Sequence, residues 1–133
     1  MHGDICDKEL VSGLFEKYSF DSVLNFAAES HVDRSITNPE IFVQPNVMGT
    51  VNLLQRAKEV WYDVISKIWE GGKKHLQVST DEVYGALGAE GYFTEKTPLF
   101  LHSPYSSSKA GADHFVMAFH DTYDMSVLPS DVA

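Results

Sequence analysis

The chain has 133 residues, 44% of them hydrophobic, which is long enough for one domain with a real core and too short for two of ordinary size. Its formal net charge is -9 and its basic residues are scattered, so it lacks the clustered Lys and Arg that a nucleic acid or an anionic membrane requires. One cysteine, no signal-peptide pattern and no apolar run of membrane-spanning length predict a cytoplasmic protein.

Hydrophobic periodicity predicts three elements in the first half of the chain. Apolar residues at helical spacing indicate a helix over residues 8–17, and the apolar run at 22–28 indicates a buried strand. A long helix is predicted from Pro39 to about residue 61, with Asn38 as its N-cap. Pro45 lies inside this helix and is expected to kink it, because proline removes one backbone hydrogen bond.

The second half continues the alternation of strands and helices. Residues 75–79 are predicted to form a strand, and a glycine-containing loop follows at 85–98. The Ser-Pro pair at 103–104 begins a helix that runs to about residue 123. Residues 125–128 are a weaker strand prediction, since Pro129 follows at once.

This alternation predicts an α/β fold with a parallel sheet covered by helices. Ligands of such sheets bind beyond the carboxyl ends of the strands. The residues that follow the two clearer strands, 27–34 and 80–84, are therefore the first candidates for a functional site.

One candidate pair is Tyr105 and Lys109, which are four residues apart and so share one face of the predicted helix. A free tyrosine has a pKa of about 10, and a nearby cation favours its phenolate, which would make it an acid or base near neutrality. Taken alone the pair is weak evidence, because a packed Tyr beside a solvated Lys is the commoner case.

A second candidate is the run Thr80, Asp81 and Glu82 directly after a predicted strand. Two carboxylates in a partly dry site can acquire different proton affinities, so that one serves as acid and the other as base. Dehydration of an alcohol needs such a pair. The alternative is an ordinary helix start, where Thr, Asp and Glu are common.

Four motifs change the weight of both candidates. In chain order they read NFAAESHVDRS from residue 25, NVMGT from 46, STDEVYG from 79 and SPYSSSKA from 103. Together they closely resemble the dTDP-glucose 4,6-dehydratases of the extended short-chain dehydrogenase/reductase family. The Tyr-x-x-x-Lys pair marks only the superfamily, whereas Thr-Asp-Glu after the strand distinguishes its dehydratases from its sugar epimerases.

The resemblance implies a role for each catalytic candidate. Tyr105 would take the proton of the sugar 4-hydroxyl, Lys109 would favour the phenolate and hold the cofactor ribose, and Thr80 would hydrogen-bond near that oxygen. Glu82 would then act as the base at C5, and Asp81 as the acid to the C6 hydroxyl.

The cofactor implied by the resemblance is NAD, the substrate is a nucleotide-diphosphate sugar, and no metal is expected. Homodimerisation through helices near 39–60 and 104–123 is implied as well. The implied NAD contacts are Asp4, Ile5, Ala27, Ala28, Ser79, Tyr105 and Lys109. The implied substrate contacts are Ser30, His31 and Thr80.

The chain departs from the family pattern at both ends. It contains no G-x-G-x-x-G turn, and Asp124 stands where the family has a helix-ending glycine. Residues 1–133 are thus predicted to be a partial NAD-binding domain: a Rossmann-type, doubly wound parallel sheet without its first βαβ unit or the C-terminal substrate domain. Such a segment is expected neither to bind NAD nor to act alone.

Other interpretations remain open at this point. The same scaffold could serve a nucleotide-sugar epimerase or decarboxylase, against which Asp81 and Glu82 count, or a catalytically silent interaction module. Among the minor candidates, His31 and Asp33 could simply form a polar loop, and Asn46 could be a polar group satisfied inside its helix. The aromatic stretch 61–69 is expected to serve packing.

Overall fold

The computed structural model describes residues 1–84 and 101–130, except for the side chains of residue 81 and residues 128–130. The predicted loop at 85–98 lies outside these residues. Five helices, five strands, one π-helix and one 3-10 turn lie within them. In chain order they are α1 (Lys8–Lys17), β1 (Ser22–Asn25), α2 (Val32–Thr37), α3 (Glu40–Val43), the π-helix (Gln44–Gly49), α4 (Thr50–Trp61), β2 (Tyr62–Asp63), β3 (Ile68–Trp69), β4 (Lys74–Val78), the 3-10 turn (Asp81–Tyr84), α5 (Pro104–Tyr123) and β5 (Val127–Ser130).

The main sheet is parallel, in the order β1-β4-β5, which confirms the predicted α/β class. Its register places Val23, His75 and Val127 side by side. All three strands therefore end at the same edge of the sheet. Pro129 lies in β5, which pairs with β4 alone among the described strands, and an edge strand tolerates a proline.

Helices α1, α4 and α5 pack together on one face of the sheet. Their apolar side chains form the core, and Val23 and Val127 pack against it. Leu24 alternates with Val23 and so points to the opposite face, where 56% of its surface is exposed. The core residues are Val11, Phe15, Leu54, Ala57, Trp61, Val116 and Met125.

The helix predicted from Pro39 to residue 61 is one irregular path of three elements: α3, the π-helix and α4. Pro45 occupies the first turn of the π-helix. A wider turn accommodates the missing proline N–H, so the expected irregularity is confirmed in this form. No helix within the described ranges is long and apolar enough to cross a membrane.

Two boundary predictions were wrong. Asn38 does not cap this helical path; it ends α2, a short helix that the periodicity did not reveal, and its backbone N–H donates to Arg34 O. Strand β1 ends at Asn25 instead of residue 28, because the Asn25 Oδ1 accepts the backbone N–H of Ala27 at 3.0 Å and turns the chain out of the sheet.

The aromatic stretch after α4 forms a small antiparallel hairpin, β2 and β3, which was not predicted. Trp61 is buried in the core, and the Trp69 Nε1 donates a hydrogen bond to Tyr123 O at the end of α5. The expectation that this stretch serves packing is confirmed.

Helix α5 begins as the Ser-Pro pair predicted. The Ser103 Oγ accepts the Ser106 N–H at 3.1 Å, and the Ser106 Oγ accepts the Ser103 N–H at 3.2 Å. This reciprocal cap fixes the first turn, which carries Tyr105. At the other end Asp124 takes the left-handed conformation, with φ of 57°, that a glycine would adopt at less cost.

Stability should fall in mild acid because of His75. Burial in β4 lowers the pKa of His75 from 6.5 to about 4, and the Gln77 side chain opposes this only in part. Because the unfolded chain takes up this proton first, the stability that neutral His75 contributes is complete above pH 6.5 and is lost as the pH falls toward 4. The loss amounts to about 3 kcal/mol at most.

Urea unfolding at pH 7.5 and pH 4.5 tests this expectation, with His75→Leu as the variant and His114→Leu, at an exposed position on α5, as the control. Between pH 7.5 and pH 4.5, the free energy of unfolding should decrease less in His75→Leu than in the parent or the control. An equal decrease in all three proteins would show that His75 does not cause the loss of stability in acid.

The open sheet predicts self-association of the 133-residue chain. Strand β1 pairs only with β4 among the described strands, so its other edge has no partner within them. Leu24 in this strand is exposed on the sheet face opposite the helices. Leu24→Lys should reduce the species larger than a dimer in light scattering without changing the helix content. Val64→Lys, at an exposed position of the β2–β3 loop, should not reduce them.

Candidate active site

Buried amide side chains tie the sheet to α4 at the carboxyl ends of the strands. The Asn25 Nδ2 donates to Gln77 Oε1 at 2.9 Å and to Thr50 Oγ1 at 3.2 Å. These three residues are almost fully buried. The Asn25 Oδ1 accepts the N–H of Ala27. The network therefore also fixes the backbone at Ala27, one of the residues expected to contact NAD.

A second amide joins the π-helix to the loop after β1 and to α5. The Asn46 Oδ1 accepts the Glu29 N–H at 2.8 Å, and its Nδ2 donates to Glu29 O at 3.1 Å and to Ser108 Oγ at 2.9 Å. The interpretation of Asn46 as a satisfied polar group inside its helix is confirmed.

Tyr105 and Lys109 lie one turn apart on α5, both buried, with exposed fractions of 9% and 3%. The Lys109 Nζ donates to Val78 O, the last carbonyl of β4, at 2.7 Å. Burial lowers the pKa of Lys109, and the charge of Asp113 opposes that shift. The Tyr105 ring packs edge-on against Phe42, with 6.3 Å between ring centroids. The helix therefore holds a phenol and an ammonium at the end of the central strand.

Thr80 and Glu82 lie on the segment that follows β4. Thr80 follows β4, its Oγ1 accepts the Glu82 N–H at 3.4 Å, and its carbonyl accepts the Val83 N–H. Glu82 is exposed on the 3-10 turn, which contacts α5. Asp81 opens that turn, but its side chain lies outside the described atoms.

Ile5, which with Asp4 is expected to contact NAD, is held against α4. The Asn52 Nδ2 donates to Ile5 O at 2.7 Å, and the Asp4 Oδ1 accepts the Cys6 N–H at 2.8 Å. Gly49 permits this close approach, because a Cβ there would lie 2.4 Å from the Ile5 Cδ1. The Asp4 carboxylate remains exposed.

The residues after β1 are accessible. Ala27, Ala28, Ser30 and His31 are all exposed, between the anchor at Asn25 and the start of α2. His31 precedes α2 and Asp33 lies in its first turn, so the two begin a helix rather than a polar loop. The structure thus brings the alanines to the carboxyl end of β1, while Ser30 and His31 lie further along the connection.

Ser79 is nearly buried, and its Oγ donates a hydrogen bond to the Asp113 Oδ2 on α5. Asp113 was not predicted from the sequence as a site residue. Its spacing, four residues after Lys109 and eight after Tyr105, could have indicated it, because all three share one helix face. Among residues 1–84 and 101–130, no group of three His, Cys, Asp or Glu side chains could hold a metal ion.

Comparison with known proteins identifies relatives along almost the whole chain. A family profile described as GDP-mannose 4,6 dehydratase matches residues 1–130. The dTDP-glucose 4,6-dehydratase of Xanthomonas campestris pv. campestris strain B100 is 51% identical over 129 residues, which are 97% of this chain and 36% of that protein. The enzyme of the same name from Escherichia coli is 41% identical over 93% of this chain and 36% of its own length.

Solved structures of related enzymes match the fold of almost the whole chain. DesIV, a dTDP-glucose 4,6-dehydratase from Streptomyces venezuelae crystallised with NAD and TYD, is 43% identical, with a TM-score of 0.82 over 97% of this chain and 36% of that chain. The UDP-glucose 4-epimerase of Thermus thermophilus in complex with NAD is 26% identical, with a TM-score of 0.83 over 96% of this chain and 38% of that chain. The predicted Rossmann-type fold is thereby confirmed.

The chain spans little more than a third of the length of the curated relatives that it matches, 36% for the Xanthomonas protein. Within that span the family profile covers all but the last three residues. The chain belongs to the family that the GDP-mannose 4,6 dehydratase profile describes.

Proposed function

We propose that this chain is part of the NAD-binding domain of a nucleotide-sugar 4,6-dehydratase, with dTDP-glucose as substrate. The observation that carries the proposal is the hydrogen bond from the buried Lys109 ammonium, one turn after Tyr105, to the last carbonyl of β4, the strand that Thr80 and Glu82 follow. The names of the relatives support the same reaction.

The residues proposed for NAD suit a dinucleotide lying across the carboxyl edge of the sheet. Ala27 and Ala28 are small and exposed where a ligand must approach the backbone. Ser79 is the residue directly after β4 and is nearly buried. The exposed Asp4 carboxylate, held beside α4, can accept hydrogen bonds from an adenosine. When bound, NAD would supply the oxidation at C4 and the reduction at C6 of the sugar.

Proton transfer at C4 is the proposed role of Tyr105. A phenolate accepts the proton of the 4-hydroxyl as that carbon is oxidised. Lys109 stabilises the phenolate by its charge, and the Val78 carbonyl fixes the ammonium in position. Thr80 is proposed to hydrogen-bond to the same substrate oxygen.

Water elimination is the proposed role of the turn after β4. A ketone at C4 makes the C5 proton acidic, so a carboxylate can remove it. Glu82 is exposed on the turn, where it can reach a substrate, and is proposed as this base. Asp81 is proposed as the acid that protonates the departing C6 hydroxyl. Ser30 and His31 are proposed as substrate contacts on the connection to α2.

We infer a homodimer formed through α5 and the helical path of α3, the π-helix and α4. Large apolar side chains are exposed on these elements, as expected for a covered surface. They are Val43, Met48, Val60, Phe115 and Met117. A cytoplasmic location and the inability of residues 1–133 to bind NAD alone stay predictions.

Tyr105→Phe should abolish oxidation itself. The assay uses a hybrid in which residues 1–130 replace the matching segment of the Xanthomonas enzyme, which is 51% identical. Loss of the phenol should lower turnover by about 10²–10⁴-fold. Ser107→Ala, exposed on the same helix, is the control and should keep the parent rate. A folded but inactive parent hybrid, or near-normal turnover in Tyr105→Phe, would count against the proposal.

Glu82→Gln should separate the two chemical steps in the same hybrid. The carboxylate is needed only after the C4 ketone has formed, so a single turnover should still show reduced nicotinamide by its absorbance. Overall turnover should fall by about 10²-fold or more. Glu16→Gln, at an exposed position on α1, is the control. Equal loss of oxidation and turnover in Glu82→Gln would refute its role as the C5 base.

A further inference from the structure

Three polar side chains follow one another at four-residue intervals along α5: Tyr105, Lys109 and Asp113. The first two belong to the proposed active site. Asp113, on the third turn, is half-buried and accepts a hydrogen bond from the Ser79 hydroxyl. This contact joins α5 to the residue that directly follows β4.

Lys109 is pinned to the same stretch of backbone. Its Nζ donates to Val78 O at 2.7 Å, one residue before Ser79. An ammonium with only 3% of the residue exposed needs more than one neutral carbonyl to remain charged. The Asp113 carboxylate is the group whose charge opposes the effect of burial on the pKa of Lys109. One carboxylate therefore acts on both neighbours.

We propose that Asp113 is a positioning residue that holds the Ser79 hydroxyl at the carboxyl end of β4 and, one helical turn from Lys109, places a compensating negative charge near its ammonium. It needs no contact with substrate or cofactor. Its hydrogen bond joins α5 to the end of the strand, and its charge favours the protonated form of Lys109 beside Tyr105. The importance of that protonation for catalysis rests on the proposed function; the interaction itself does not.

Several elements that contact α5 carry ionisable residues. Tyr105 is on α5 itself, and β4 presents the backbone carbonyl of Val78 to the ammonium. The residues on the other elements are Asp33 and Arg34 of α2, Glu40 of α3, Arg56, Lys58 and Glu59 of α4, and Asp81, Glu82 and Tyr84 of the 3-10 turn.

Two substitutions separate the charge of Asp113 from its hydrogen bond. Asp113→Asn keeps an acceptor for Ser79 and removes the charge, whereas Ser79→Ala removes the hydrogen bond and keeps the charge. The 133-residue chain labelled with ¹³Cε-lysine is titrated by NMR, and Lys109→Arg identifies the Lys109 resonance by its disappearance. Circular dichroism reports whether each variant is folded.

The Lys109 midpoint should move to lower pH in Asp113→Asn, since the compensating charge is gone. The Lys109 midpoint should stay at the parent value in Ser79→Ala. In Asp113→Glu it should lie nearer the parent value than in Asp113→Asn. A folded Asp113→Asn protein with an unchanged Lys109 midpoint would overturn the proposal.

A reciprocal measurement covers the case in which Asp113→Asn does not fold. The interaction between two charges acts on both, so Lys109→Met should raise the midpoint of the Asp113 carboxyl, followed by ¹³Cγ-aspartate labelling. An unmoved Asp113 midpoint would contradict the proposal. Neither titration uses turnover, so an inactive hybrid enzyme would refute the proposed function and leave this test intact.

Discussion

The hydrogen bond from the Asn25 Nδ2 to the Gln77 Oε1 is the contact on which the site depends. It joins two neighbouring parallel strands at 2.9 Å in a region where both residues are at most 2% exposed. A buried amide without a partner costs about 1–3 kcal/mol, so the network holds only if every strand keeps its register. Thr50 takes a further bond from Asn25, which makes the start of α4 depend on the same register.

This constraint explains why polar residues occur where a parallel sheet usually has apolar ones. Gln77 and His75 alternate with Leu76 and Val78 along β4, and the polar pair faces the helices. The Asn25–Gln77 pair specifies one arrangement, because a one-residue slip of β4 would turn Gln77 to the other face of the sheet and leave the buried Asn25 amide without it. The fixed end of β4 then places the Val78 carbonyl where Lys109 can donate to it. It also places Ser79 within hydrogen-bonding distance of Asp113 on α5.

The sequence predicted the elements whose signals are local. The periodicity of α1, the Ser-Pro start of α5 and the apolar run of β4 each depend on residues close together in the chain. Tyr105 and Lys109 were found the same way, since four residues make one helical turn. The partnership of Ser79 with Asp113 spans 34 positions, and no local pattern encodes it. The same holds for the short α2 and for β2–β3, which tertiary contacts stabilise more than propensity does.

The scaffold alone does not choose between dehydration and epimerisation. The Thermus epimerase superimposes on this chain with a TM-score of 0.83 at 26% identity, while DesIV gives 0.82 at 43%. On the proposed function, Tyr105 and Lys109 of α5 act at C4 whichever of the two reactions follows. What elimination needs in addition is a base and an acid at the neighbouring carbons. The run from Thr80 to Glu82 contains two adjacent acidic residues, Asp81 and Glu82. On the proposed function, the choice of reaction is therefore assigned to the turn after β4, and the proton transfer at C4 is assigned to α5.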